Sequence, residues 1–313
     1  MSRPTPTIGF VGLGTMGGTI AARLLERGYL VVGYNRTRSK AEALRKDGLE
    51  LVDSPRQAAA RADVCFSMVT DTNALATVAH GKHGIIAGLK PGTVYVDMST
   101  VSPSMTAALA GEATQVGAAM LDAPVSGSVA HARSGRLSFM VGGEPQVLES
   151  VRPVLLSFGE KVTWVGTNGR GTLMKVATNL QVYVQTLAFA ESMRLAERGG
   201  IDRGVAMEVL LNSVVASPML SYRAPFMLDR PEQAWFTIDL SNKDLILALE
   251  AGDRLGAALP TARAAADAFA FAAQQGLGGQ ETAAIYDVVD GLPTASIHTR
   301  GSISDRPLPY GSD

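Results

Sequence analysis

A mostly parallel α/β sheet domain, followed by an all-α domain that a long helix joins to it, is the fold class this sequence predicts. Three observations carry it. From residue 7 to about 165, short β-branched runs alternate with Ala/Leu-rich stretches, the pattern of βαβ units around a sheet covered on both faces. Beyond "GTNGRG" at 166–171 the strand signals stop. The segment "TLMKVATNLQVYVQTLAFAESMRLAERGG" then reads as one helix from about residue 172, closed by Gly199 and Gly200.

In order along the chain, "TIGFVGL", "LVVGYNR", "VCFSMVT", "TVYVDMS" and "AMLDAPV" are the strand candidates. "LSFMVGG" and "KVTWVG" follow after a helical interval and add further strands to the same sheet. After the long helix, helical stretches continue to about residue 290, broken at "ASPML", "DRPEQ" and "GAALPT". The expected division is therefore residues 1–166 for the sheet domain, 167–291 for the helical domain and 292–313 for a flexible Gly/Pro/Ser-rich tail.

Bulk composition narrows the function classes. A chain of 313 residues is long enough for two cores, and 46% hydrophobic with 18% charged residues suits a folded globular protein. A net charge of −1 provides no summed positive field for nucleic acid or an anionic membrane, which leaves a small-molecule ligand as the expected partner. The single Cys65 sits in the apolar run "ADVCFSMV" and is expected as core filler. No signal-peptide pattern and no uncharged span of membrane length is present, so the cytoplasm is expected. His80 and His83 in "AHGKHG" lack a third ligand, and His131 and His298 stand apart, so no metal site is expected.

Gly12, Gly14 and Gly17 satisfy G-x-G-x-x-G directly after a strand and before a helix. In that setting the first glycine makes the turn, the second lets backbone approach a diphosphate, and the third allows close helix packing. The expected domain is thus Rossmann-type. Gly12, Leu13, Gly14, Thr15, Met16 and Gly17 would cradle a dinucleotide, with Met68, Val69 and Thr100 at the ends of later strands completing its site. After the second strand, "GYNRTRSK" places Asn35 where an acid would bind a ribose hydroxyl, followed by Arg36, Thr37 and Arg38. A carboxylate repels a 2′-phosphate and a guanidinium grips one, so NADP(H) is preferred and NAD(H) remains possible. A solvated basic turn would look the same.

Three further segments offer chemistry. "VDMSTVSP" at 96–103 presents Ser99 and Thr100 at a strand end, where Ser102 reads as a helix cap. "DAPVSGS" at 122–128 offers hydroxyls and backbone N–H groups in one turn that suits a carboxylate, although an ordinary turn is the alternative. Lys175 and Asn179, four residues apart on the long helix, share a face. Lys175 lies in an apolar run and could exchange a proton with a carbonyl or alcohol oxygen, or simply snorkel from a core helix. Lys243 in "LSNKDL" is a second candidate cation, or an exposed helix charge.

Together "GFVGLGTMG", "NRT", "GLKPGTVYVDMSTVSP", "LDAPVSGS", "FMVGG", "GRGTLMKVATN" and "NKDL" resemble the β-hydroxyacid dehydrogenase family, over residues 7 to about 290. That family includes 3-hydroxyisobutyrate dehydrogenase, tartronate semialdehyde reductase and the glyoxylate/succinic semialdehyde reductases. The resemblance implies that Lys175 is the catalytic lysine and Asn179 orients substrate. It further implies that Ser126, Gly127 and Ser128 bind the substrate carboxylate, and that Lys243 lies near nicotinamide and substrate. It also implies a homodimer or homotetramer. Two positions depart from the family pattern: Ser128 stands where the family has a glycine, and Leu180 where it usually has a second Asn. The expected activity is NADP(H)-dependent interconversion of a short β-hydroxyacid and its semialdehyde. Imine or other carbonyl reduction on the same architecture, and a non-catalytic NADP-binding sensor, are the alternatives; the related imine reductases generally lack the lysine.

Overall fold

The computed structural model describes residues 5–292; the flexible-tail expectation falls, but for Leu292, outside these residues. Nine strands form one sheet: β1 (Ile8–Val11), β2 (Val31–Tyr34), β3 (Glu50–Leu51), β4 (Val64–Ser67), β5 (Val94–Asp97), β6 (Ala119–Asp122), β7 (Val125–Ser126), β8 (Leu137–Gly142) and β9 (Gly159–Gly166). The spatial order is β3-β2-β1-β4-β5-β6-β8-β7, with β9 on β8. β1 through β6 are mutually parallel, β8 runs antiparallel to β6 and β7, and β9 is parallel to β8. Chain direction across the sheet switches between β1 and β4, the place where open α/β sheets bind ligands beyond their strand ends. β3 and β7 are the strands the sequence pattern did not predict; with two residues each they carry no periodicity.

The helices of this part are α1 (Thr15–Glu26), α2 (Pro55–Ala60), α3 (Thr72–Ala79), α4 (Pro103–Gln115), α5 (Val129–Ser134) and α6 (Pro145–Leu155). They cover both sheet faces, which is why β1 and β4 are buried at every residue without alternation, β1 apolar throughout and β4 apolar up to its last residue, Ser67. One face packs a run of aromatic rings: Phe10 on Phe66, Phe66 edge-on to Phe158, and Phe158 edge-on to Phe139. On the other, Cys65 is buried, and burial pushes its thiol up to about 12, so it is core filler as expected.

The rest of the described chain is helical: α7 (Arg170–Arg198), α8 (Arg203–Leu211), α9 (Pro218–Arg223), α10 (Ile238–Leu255) and α11 (Pro260–Ala272), with a 3₁₀ segment at Thr282–Asp287. Proline opens five helices, α2, α4, α6, α9 and α11, where its fixed φ suits the first turn and its missing N–H costs nothing. The α7 helix begins two residues earlier than its sequence pattern suggested, because the sheet itself starts it. Asp122, at the end of β6, accepts the N–H of Gly169 at 2.8 Å and of Thr172 at 2.7 Å, capping α7 from another element. A side chain at Gly171 would run into the main-chain oxygens of Met140 and Asp122, so only glycine lets α7 approach this closely.

This junction gives a first test. Asp122→Ala strands two buried amides at the start of the helix, and the expected loss is about 2–4 kcal/mol of stability. A urea denaturation midpoint checks it; a loss below about 1 kcal/mol would mean the junction does not depend on this carboxylate.

Candidate functional site

The glycine loop has the shape a diphosphate requires. Gly12 holds φ +97°, and a Cβ there would strike the Met68 carbonyl; a Cβ on Gly17 would strike the carbonyl of Gly12. At Gly14, by contrast, a Cβ would meet nothing within 4 Å. Gly14 is also the N-cap of α1, and no side chain caps that helix or places an acid in its first turn. Open space therefore lies before a helix N-terminus whose amides point outward, which fits an anionic diphosphate. Leu13, Thr15 and Met16 belong to the same loop and first turn, and Met68 and Val69 stand across from Gly12.

Asn35 braces this loop: its Oδ1 accepts the Leu13 N–H at 2.9 Å and its Nδ2 donates to the Thr37 carbonyl at 2.8 Å. Arg38 is occupied by Asp53 at 2.8 Å. Arg36 is exposed and forms no ion pair among the described residues, so of these two guanidinium groups it is the one open to an anion. Thr37 is exposed beside it.

A second cluster forms between α7 and α10. Asn179 and Tyr183 donate to the same oxygen of buried Asp244, at 2.5 and 2.7 Å. The Lys243 ammonium lies 2.9 Å from the other Asp244 oxygen and donates to the carbonyls of Thr70 and Thr100, at 2.9 and 2.8 Å. Thr70 and Thr100 follow β4 and β5, so Lys243 is a strut from the helical part to the ligand-binding edge of the sheet. Lys175 lies one turn before Asn179, half-buried and without an ion pair among the described residues. Burial pushes its ammonium down to about 8; Asp244 opposes that shift, while Lys243 and Arg223 add to it. An amine titrating near neutral pH can both give and take a proton. Helix spacing thus puts Lys175 and Asn179 on one face of α7, and Asp244 brings Lys243 of α10 beside Asn179. Tyr183, one further turn along, and Asp244 were not assigned from sequence, although the 175, 179, 183 spacing was visible there.

The remaining candidates are placed differently. Ser126 lies in β7, paired with Ser138, so the turn is partly strand rather than an open nest. Both the N–H and the hydroxyl of Ser128 point to His131 Nδ1, at 3.1 and 2.9 Å. Accepting the N–H fixes that nitrogen as an acceptor, and the hydroxyl then donates to it as well. Ser126 and Gly127 are left as the free part of the turn, and none of the three bonds directly to Lys175 or Asn179. Ser99 does not face a ligand: its buried hydroxyl donates to Asp97 at 2.8 Å and receives the Val69 N–H at 2.9 Å. Burial lifts Asp97 to about 6 despite bonds from Ser67 and Ser99. Ser102 occupies the N-cap position of α4, but its hydroxyl meets that of Ser104 instead of a helix amide. Among the described residues no group of His, Cys, Asp and Glu side chains could hold a metal, and no helix is long and apolar enough to cross a membrane.

Fold and site define a two-part NAD(P)-dependent dehydrogenase. Residues 7–166 match the family model described as the NAD binding domain of 6-phosphogluconate dehydrogenase. Residues 169–289 match that described as NAD-binding of NADP-dependent 3-hydroxyisobutyrate dehydrogenase. Glyoxylate/succinic semialdehyde reductase 2, chloroplastic, of Arabidopsis thaliana is 32% identical over 91% of this chain and 80% of its own length. Among solved structures, 3-hydroxyisobutyrate dehydrogenase of Mycobacterium tuberculosis with L-serine superposes with a TM-score of 0.82 at 30% identity, covering 91% of this chain and 99% of that one. Psf3 in complex with NADP+ and 2-OPP gives 0.82 at 27%, over 90% and 100%. The chain belongs to the β-hydroxyacid dehydrogenase family, and it is an NAD(P)-dependent hydroxyacid dehydrogenase.

Proposed function

We propose that this enzyme interconverts a short β-hydroxyacid and its semialdehyde with NADP(H), residues 1–166 holding the cofactor and residues 167–291 completing the substrate site. The observation that carries the reading is the Lys175–Asn179 face of α7, locked by Asp244 to the Lys243 strut that reaches Thr70 and Thr100. The nicotinamide, when bound, supplies or accepts the hydride. Gly12 to Gly17 take its diphosphate and Arg36 its 2′-phosphate, beside Thr37.

Ser126 and Gly127, with Ser128 fixed by His131, anchor the substrate carboxylate. Asn179, its amide held by Asp244, orients the reacting oxygen. In reduction the Lys175 ammonium protonates that oxygen; in oxidation the neutral amine accepts the alcohol proton. Closing the substrate between sheet and helices excludes water and strengthens these polar contacts. The name of one relative, 3-hydroxyisobutyrate dehydrogenase, supports a β-hydroxyacid, and that of another, glyoxylate/succinic semialdehyde reductase, supports a short aldehyde bearing a carboxylate. Exposed Leu195, Val205 and Val209 leave an apolar face on α7 and α8, which a second copy of the chain covers in a homodimer or homotetramer.

A matched pair of aldehydes tests the proposal. Malonate semialdehyde should be reduced about 10- to 100-fold more efficiently than propionaldehyde, the contribution of one or two charge-assisted hydrogen bonds to the carboxylate. Equal efficiencies would remove the carboxylate anchor, and no turnover of any aldehyde acid, hydroxyacid or glyoxylate would remove the activity.

A further inference from the structure

Arg223, the last residue of α9, and Glu281 form an ion pair with side chains only 10% and 1% exposed. The Arg223 Nη1 donates to Glu281 Oε1 at 2.7 Å, while Glu281 Oε2 accepts the main-chain N–H groups of Trp235 and Phe236 at 2.7 and 3.1 Å. Such a pair is a poor device for stability alone, because withdrawing two charges from water costs about as much as their attraction returns. Its placement offers a different reason.

The segment that Glu281 ties down leads straight to the proposed proton-transfer face. Phe236 stacks on Tyr183, with ring centroids 6.1 Å apart and planes 19° apart. Tyr183 donates to the Asp244 oxygen that also holds Asn179. The next residue, Thr237, caps α10, which carries Lys243 and Asp244, and it bridges back to Glu281. Arg223 keeps a buried Nε without a partner, so its guanidinium is held by the carboxylate and not by a complete set of bonds.

We propose that Arg223 and Glu281 are positioning residues: they fix the 235–237 segment so that Phe236, Tyr183 and Asp244 hold Asn179 beside Lys175. This rests on the assignment of Lys175 and Asn179 to proton transfer and substrate orientation. The charges acting on Lys175 agree with it. Asp244 and Lys243 on α10 and Arg223 on α9 all bear on the ammonium, and Arg223 favours its neutral form.

The test uses the full chain saturated with NADPH, compares Arg223→Met, Arg223→Lys, Glu281→Gln and the paired Arg223→Met/Glu281→Met with the parent, and follows folding by circular dichroism. The paired variant removes both buried charges together and is expected to fold. Arg223→Met and Glu281→Gln should raise KM for malonate semialdehyde about tenfold while NADPH affinity holds, and Arg223→Lys should recover to within about threefold. The Lys175 titration, read by NMR of isotope-labelled lysine and assigned with Lys175→Arg, should move to higher pH in Arg223→Met and in the paired variant. A folded Arg223→Met or paired variant with parental KM overturns the proposal even where the Lys175 titration moves, because loss of the Arg223 charge shifts that titration without any change of position. A parent chain inactive on every substrate sinks the assignment of activity; the Asn179 side-chain amide NMR signals, which need no turnover, then decide the role of this pair, moving in Arg223→Met if it positions Asn179 and staying parental if it does not.

Discussion

Lys175→Ala should lower turnover by about 10²- to 10⁴-fold, the range expected when a positioned general acid is removed. NADPH affinity should not change, because Lys175 lies on α7 and the cofactor loop lies on β1 and α1. The pH dependence gives the sign of the effect. With Lys175 titrating at about 8, reduction needs the ammonium and should weaken as pH rises through that value. Oxidation needs the neutral amine and should strengthen over the same interval. Lys175→Arg keeps the charge but stays protonated, so it should lose both the rate and this dependence. Steady-state rates in both directions with purified variants check all three expectations; parental rates in folded Lys175→Ala would remove the lysine from the mechanism.

Arg36→Glu should cost about 100-fold in kcat/KM with NADPH, as two charge-assisted bonds to the 2′-phosphate give way to repulsion. NADH, which has no 2′-phosphate, should lose little, so the ratio of the two efficiencies inverts. The geometry supports Arg36 over its neighbour, since Arg38 is already paired with Asp53. Arg38→Ala should accordingly leave the ratio near its parental value. Kinetics with both cofactors read the result, and an unchanged NADPH/NADH ratio in Arg36→Glu would return Arg36 to a solvated surface role.

Most of the sheet was legible because its strands are buried on both faces and so read as short apolar runs, as in Ile8–Val11 and Val64–Phe66. The start of α4 was legible in Ser102, which holds the N-cap position although its hydroxyl meets Ser104 instead of a helix amide. The Lys175–Asn179 face followed from helical spacing alone. What escaped depends on contacts between residues far apart in the chain. Asp122 caps a helix whose N-cap, Gly169, lies 47 positions later, and Arg223 meets Glu281 across 58 positions. Neither separation leaves a local pattern. His131 escaped for another reason: it sits three residues after Ser128, where a capping box ordinarily has Glu or Gln, and its imidazole turned the Ser128 hydroxyl away from its expected part as a free anchor. Lys243 was legible as a cation near the site, while its function as a strut required knowing that Thr70 and Thr100 end neighbouring strands.

Transfer of label from cofactor to product tests the central claim most directly. The purified chain, NADPH deuterated at the reactive nicotinamide carbon and malonate semialdehyde should yield 3-hydroxypropionate carrying deuterium on the alcohol carbon, with NADPH consumed in equal amount. NADPH left unconsumed, or product without deuterium at that carbon, would contradict hydride transfer to a carboxylate-bearing aldehyde in this site.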